Sequence, residues 1–131
     1  MNLPDSIEMF FLAARTLAIK HGHEFITGEH LLAALLEDKP MITLLRALGA
    51  DEKKLRTSLE SYFKDNLTSY PDVEPLPSLG LQRVLQRSLI HYDLSTASDV
   101  TSRDLLVSLF SEHDSHPVHY LKETGVTKLA V

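Results

Sequence analysis

Histidine and carboxylate side chains are the groups in this sequence that could do chemistry. It contains seven histidines, several at spacings that would let imidazoles share a zinc ion. These histidines and the acids beside them are His21, His23, His113, His116, His119, Glu24, Glu112 and Asp114. Yet the sequence has no cysteine and no His-Glu-x-x-His motif, the usual features of zinc sites. We therefore expect surface or capping histidines, with no metal and no cofactor.

Motifs for nucleophilic or phosphoryl-transfer catalysis are also missing from the sequence. There is no Gly-x-Ser-x-Gly elbow and no Gly-x-x-x-x-Gly-Lys-Ser/Thr phosphate loop. The chain by itself is therefore not expected to be an enzyme.

The acids Glu24 and Glu29 flank a polar stretch that leads into a predicted helix. Thr27 is a good N-cap for that helix, and Glu29 lies in its first turn, where the helix dipole favours negative charge. The pattern predicts both acids at an exposed helix start, able to pair with lysine or arginine of a protein partner. In the alternative interpretation, Glu29 serves only the dipole and Glu24 is solvated. Likewise, His23 and His30 could simply close hydrogen bonds beside the cap.

An internal repeat with a spacing of 74 residues positions these groups. Thr27 is matched by Thr101, and the leucines behind it recur as well. The matching apolar positions are Leu31/Leu105, Leu32/Leu106, Leu35/Leu109, Ile7/Leu81, Phe10/Val84, Phe11/Leu85 and Ala14/Ser88. These stripes have helical periodicity, so the sequence predicts an all-α domain of two pseudo-twofold-related four-helix repeats packed together.

The order of helices follows from caps and breakers. Asp5, Thr27, Asp51 and Ser78 are predicted to cap helices, and Pro40 to open a short one. Repeat one covers about 5–66, the Pro-rich segment 67–78 is a strap, and repeat two covers about 79–131. Leu67, Tyr70, Val73 and Leu76 are expected to attach the strap to the core. Because the sequence given ends at Val131, the last helix of repeat two is expected to be truncated.

Composition narrows the function classes. A net charge of −5 argues against nucleic acid, whose phosphates need clustered lysine and arginine. No apolar run reaches the ~20 residues of a membrane span, and the first residues lack the pattern of a signal peptide. The absence of cysteine fits a cytoplasmic protein. A basic protein surface is the kind of partner that this charge favours.

These residues resemble the N-terminal Clp repeat domain of the Clp-type AAA+ unfoldases. The motif is a histidine, an aromatic, Ile or Val, a Gly/Thr pair, Glu-His and Leu-Leu. It reads here His23, Phe25, Ile26, Thr27, Gly28, Glu29, His30, Leu31 and Leu32. The second repeat is most similar to the ClpA branch, through Leu81–Arg87 and Val100–Glu112. The resemblance covers residues 3–131.

The resemblance implies a docking domain that receives adaptors and substrates for a ring-shaped ATPase and its partner Clp peptidase. In the ClpA branch the adaptor is ClpS, which delivers proteins with destabilising N-terminal residues, as in the N-degron pathway. The residues that the resemblance assigns to adaptor binding are Glu24, Glu29, His21 and His23. An alternative is a free-standing Clp-repeat protein that structurally modulates a Clp peptidase complex.

One position departs from a related branch of the family. In the ClpC branch both repeats carry the motif glutamate, and the pair recognises phosphorylated arginine. This sequence has Glu29 in the first repeat but Arg103 in the second. A guanidinium cannot accept the donors of an arginine, so recognition of phosphoarginine by such a pair is not expected.

Overall fold

The structure is a computed structural model that describes residues 5–65, 70, 72–94, 102–112 and 116–123. Helices dominate it, as the sequence predicts. In chain order the elements are α1 (Asp5–His21), β1 (Phe25–Ile26), α2 (Gly28–Leu35), α3 (Lys39–Ala47), α4 (Glu52–Asp65), β2 (Leu76–Pro77), α5 (Leu79–Leu94), α6 (Ser102–Phe110) and α7 (His116–Glu123).

Side-chain caps and glycines set the ends of these helices. Asp51 accepts a hydrogen bond from Lys54 N at 3.0 Å, and Ser78 accepts one from Leu81 N at 3.1 Å. Both were predicted caps. Helix α3 begins one residue before Pro40, because the carboxylate of Asp38 accepts a bond from Met41 N at 3.1 Å. After α3 the chain turns at Gly49, whose φ of 83° strains any residue with a Cβ.

The core is built from equivalent positions of the two repeats. Helix α1 packs mainly on α2, and α5 on α6, while α2 also contacts α6 and α7 across the repeats. Matched residues share the same environment: Leu31 and Leu105 are both buried, and so are Ala14 and Ser88. The core therefore runs through both repeats without a break.

The strap is attached in a different way from that predicted. Tyr70 is 44% exposed and Leu76 is 64% exposed, so the expectation that these side chains anchor it to the core is wrong. Backbone hydrogen bonds do so instead. The N–H groups of residues 70, 76 and 78 donate to carbonyls of residues 22, 24 and 26 at 2.7, 3.2 and 2.9 Å. Strand β2 thus pairs in parallel with β1, with Phe25 beside Leu76.

Some predictions fall outside the described residues. Leu67 of the strap, the predicted cap Thr101 and the expected truncation after α7 are among them.

Candidate docking site at the elbow between the first two helices

The elbow is the segment from His21 to His30 that joins α1 to α2. Gly22, with φ of 70°, ends α1. The next amide, His23 N–H, donates back to the carbonyl of Ala18 at 2.9 Å, a glycine C-cap that satisfies the last carbonyls of the helix. At the other end, Thr27 has extended backbone and N-caps α2. The elbow backbone is therefore held by a helix terminus on each side.

Two buried imidazoles, those of His23 and His30, form a hydrogen-bonded chain inside the elbow. His30 Nδ1 accepts from Thr27 N–H at 2.9 Å, His30 Nε2 lies 2.8 Å from His23 Nδ1, and His23 Nε2 lies 3.2 Å from the Phe63 carbonyl. A backbone N–H only donates and a carbonyl only accepts. Both rings are therefore neutral and carry their proton on Nε2. These contacts match the alternative interpretation, in which both histidines close hydrogen bonds beside the cap.

Burial keeps these rings neutral. It lowers the pKa of His30 to about 3, and the neighbouring His23 and His21 add to the effect. Desolvation also lowers the pKa of His23, against the opposing effect of the bond to Phe63. The Phe63 ring stacks on His30 with centroids 4.8 Å apart. The histidine chain thus ties the elbow to the end of α4.

The four predicted contact residues lie in different environments. Glu24 is exposed, and His21 is half-buried with its ring stacked on His23 at 5.3 Å. Glu29 is only 6% exposed, so the expectation of an exposed carboxylate there is wrong. His23 is 2% exposed, and both its ring nitrogens are already bonded. Glu24 and His21 are therefore the two that a partner could reach directly.

Close packing between the repeats explains the burial of Glu29. A Cβ on the preceding residue, Gly28, would lie 3.2 Å from Leu109 Cδ1 and 3.4 Å from Pro117 Cγ. The start of α2 therefore sits directly against α6 and α7. Sequence periodicity within one repeat contains no information about this contact, which depends on how the second repeat docks.

A groove of about 590 Å³ runs between the repeats, with Glu29 in its wall. Its lining residues are Thr27, Gly28, Glu29, Tyr62, Ser78, Gly80, Arg83, Val84, Leu109, Ser111, Glu112 and Pro117. Desolvation raises the pKa of Tyr62 and of Tyr120, and the charge of Glu29 is the second cause for both. The carboxylate thus lies near phenols from both repeats.

Sequence reasoning missed an ionic cluster on this groove. Glu112 accepts bonds from Arg83 Nε at 2.9 Å and Arg83 Nη2 at 2.6 Å, and its other oxygen lies 2.8 Å from Arg87 Nη2. These bonds lower the pKa of Glu112, with those from Arg83 the largest cause. The i, i+4 spacing of the two arginines on one helix was the available signal.

An exposed apolar pair beside Glu24 was missed as well. Phe25 is 47% exposed and Leu76 is 64% exposed, and the two are partners in the parallel strand pair. Exposed apolar residues next to each other are a typical feature of protein-binding surfaces. Their proximity depends on the strap, which was predicted to bury Leu76.

The remaining candidate residues are described only in part. His113, and the side chains of Arg103 and His116, lie outside the described residues, whereas His119 pairs with Glu123 at 2.9 Å. Among the described residues, no group of three or more His, Asp or Glu side chains is arranged to hold a metal ion. None of the described helices is both long and apolar enough to cross a membrane.

The fold and the site define a class of protein: a helical repeat that occurs twice, with an elbow held by two hydrogen-bonded histidines. The chain belongs to the Clp repeat (R) N-terminal domain family, whose model matches residues 2–124. It is similar to a ClpA homolog protein of Fuscovulum blasticum, with 33% identity over 131 residues. The match covers 97% of this chain but only 16% of that relative.

Solved structures show the same fold. The Hsp104 N-terminal domain from Candida albicans superposes with a TM-score of 0.82 at 19% identity, covering 99% of this chain and 86% of that one. A ClpV N-domain solved in complex with a VipB peptide has a TM-score of 0.72 at 18% identity, covering 97% of this chain and 80% of that one.

Proposed function

We propose that this domain docks adaptors and substrates for a ClpA-like ATPase in the cytoplasm. A ClpS-like adaptor is the proposed partner, and the delivered proteins would be unfolded and passed to a Clp peptidase. Family membership and the similarity to a ClpA homolog support this assignment. The ATPase would lie outside this domain, in a region corresponding to the rest of the ClpA homolog, of which the match covers 16%. The ClpV domain bound to a VipB peptide shows a domain of this fold holding a partner.

Two observations support the proposal: Glu24 is exposed, and the next residue, Phe25, forms an exposed apolar pair with Leu76. An adaptor surface with a lysine or arginine next to an apolar side chain would complement these residues. The elbow is preorganised by the histidine chain, so little conformational entropy is lost on binding. The other predicted contact residues are less accessible: His21 would act from a half-buried position, and His23 and Glu29 from buried ones.

The experiment is a calorimetric titration of this domain with a ClpS-type adaptor at low and high salt. Replacing Glu24 by lysine should weaken binding about five- to tenfold at low salt, because an attractive pair becomes repulsive. The loss should shrink at high salt, where exposed charges are screened. Glu24→Gln, which only removes the attraction, should have a smaller effect.

Two further variants define the site. Glu123→Lys changes an exposed acid on α7, in the second repeat, and should leave the affinity unchanged. Glu29→Gln keeps the size of a buried side chain and tests whether the adaptor enters the groove. Failure of the unmodified domain to bind any ClpS-type adaptor would refute the adaptor assignment. Binding that is indifferent to Glu24→Lys would keep the function but move the site.

A further inference from the structure

One end of the groove between the repeats holds a cluster of charges that do not cancel. Glu112 accepts hydrogen bonds from Arg83 and also pairs with Arg87, so two guanidinium groups share a single carboxylate. One positive charge is therefore left over. Among the described residues, Arg87 Nη1 is buried and has no hydrogen-bond partner, so the two arginines offer more donors than Glu112 accepts.

Arg83 is the arginine of this cluster that lines the groove. Its side chain is 55% exposed, whereas that of Glu112 is only 13% exposed. Glu112 takes the Nε and Nη2 donors of Arg83, which form one edge of the guanidinium fork. In the described part of the chain the other edge has no partner. That edge, Nη1 and the second hydrogen of Nη2, can donate two parallel hydrogen bonds to another carboxylate.

Gly80 leaves this ion pair open to the groove. A Cβ at Gly80 would lie 3.5 Å from Glu112 Oε1 and 3.6 Å from Arg83 Nη2, so a longer side chain there would cover both groups. Gly80 belongs to the first turn of α5, which contains no acidic residue. The partial positive charge of that helix end therefore adds to the charge of Arg83.

The groove also has a negative end and an apolar wall. Desolvation and then the charge of Glu29 raise the pKa of Tyr62, while the hydrogen bond and the charge of Glu112 raise the pKa of Arg83. The two carboxylates thus act on different groups. The volume of about 590 Å³ lies in the range of pockets that enclose small ligands. Apolar residues of the wall are Val84, Leu109 and Pro117.

We propose that the groove binds an acidic side chain of a protein segment, with its carboxylate on Arg83 and a neighbouring apolar residue on Val84 or Leu109. One carboxylate supplies the single negative charge that the cluster lacks. A phosphate dianion would bring a second negative charge close to Glu112, which repels it. Because the whole chain has a net charge of −5, a single acid among neutral residues fits better than an acidic run.

This inference rests on the proposed function, because it assumes that the domain receives protein segments. It deepens that function by stating what such a segment carries: one aspartate or glutamate next to an apolar residue. The site differs from the elbow surface around Glu24, so the two can be tested separately.

An NMR titration of the 131-residue chain with three probes tests the inference. The probes are the capped peptide acetyl-Leu-Glu-Leu-amide, its counterpart with glutamine in the centre, and inorganic phosphate. The glutamate peptide should shift the Arg83 Nε–H signal and bind about fivefold more tightly than the glutamine peptide at low salt. The difference should shrink at high salt. Phosphate should bind more weakly than the glutamate peptide, and tighter binding of phosphate would mean a general anion site and overturn the inference.

Variants assign the preference for glutamate to the cluster. Arg83→Gln should remove the preference, while Arg83→Lys, which keeps the charge but not the fork, should retain part of it. Gly80→Leu should weaken the binding of both peptides, because it covers the site without changing a charge. Arg46→Gln, which breaks an exposed ion pair on α3, is the control and should leave both affinities unchanged.

Two further results would overturn the inference. One is equal behaviour of the two peptides, including no binding of either, and the other is a preference for glutamate that survives Arg83→Gln. No adaptor enters this titration, so either result would leave adaptor docking at the elbow standing. Conversely, failure of the adaptor titration would not change which of the two peptides binds more tightly.

Discussion

Nδ1 of His23 and Nε2 of His30 lie 2.8 Å apart, and this contact ties together three helices of the first repeat. His23 follows α1, His30 belongs to the first turn of α2, and the chain of bonds ends on the carbonyl of Phe63 in α4. Every donor in this chain meets an acceptor only when both rings are neutral. Adding a proton to either ring would place two N–H groups face to face and break a link.

The stability of the fold should therefore depend on pH through His30. Its pKa is about 3 when folded and about 6.5 when unfolded. As pH falls below about 6.5, the unfolded chain gains the proton first, so stability falls until about pH 3. His30 alone should remove about 2 kcal/mol between pH 7 and pH 5, and the lowered pKa of His23 acts in the same direction. Urea unfolding at several pH values measures this.

A His30 variant distinguishes the protonation of His30 from other effects of acid on the stability of the fold. His30→Asn keeps an acceptor for Thr27 N–H but cannot titrate, so it should be less stable at pH 7 and have a flatter profile down to pH 5. An undiminished slope in His30→Asn would contradict the assignment.

Much of this fold follows from local signals in the sequence. Helical periodicity and the caps Asp51 and Ser78 locate the helices, because each depends on residues within one turn. The 74-residue spacing likewise matches buried positions such as Leu31 and Leu105. The site was harder to predict, since the environment of Glu29 depends on a repeat that is distant in sequence.

The prediction for the strap was wrong for a different reason. Its apolar residues suggested burial, yet Leu76 is exposed, because the backbone N–H groups make the attachment. Backbone hydrogen bonds do not depend on the type of side chain, so the sequence does not reveal them. A two-residue strand is also too short to show alternating hydrophobicity. The apolar pair Phe25/Leu76 that results was therefore not predictable from either segment alone.

Gly49 should be required for its backbone conformation alone. Its φ is 83°, and no atom lies within 4 Å of a Cβ added there. Gly49→Ala should therefore destabilise the protein by about 1 kcal/mol through backbone strain without a clash. Gly80→Ala, in the first turn of α5 and with only ordinary contacts, should be neutral or stabilising by up to about 1 kcal/mol. Equal midpoints for the two variants in thermal unfolding would contradict this explanation.

Glu112 should titrate at unusually low pH. The bonds from Arg83 and Arg87 lower its pKa, so a carbon-detected NMR titration should find it below the usual glutamate range. Arg83→Gln removes the largest cause and should raise the pKa, whereas Arg46→Gln, on α3, should not. Because the folded pKa lies below the unfolded one, the stabilisation from Glu112 is present above the unfolded value and disappears as pH falls through the folded one.

The two repeats should unfold together, since the core crosses between them. Leu31 and Leu105 are equivalent buried positions, and α2, which carries Leu31, packs on α6, which carries Leu105. Leu31→Ala and Leu105→Ala should each lower the free energy of unfolding by about 2–5 kcal/mol. In urea, circular dichroism and the NMR signals of Tyr62 and Tyr120, from opposite repeats, should give one shared midpoint. Separate midpoints for the two tyrosines in Leu105→Ala would mean that the first repeat folds alone, and the packing of Gly28 against Leu109 would then be dispensable for its stability.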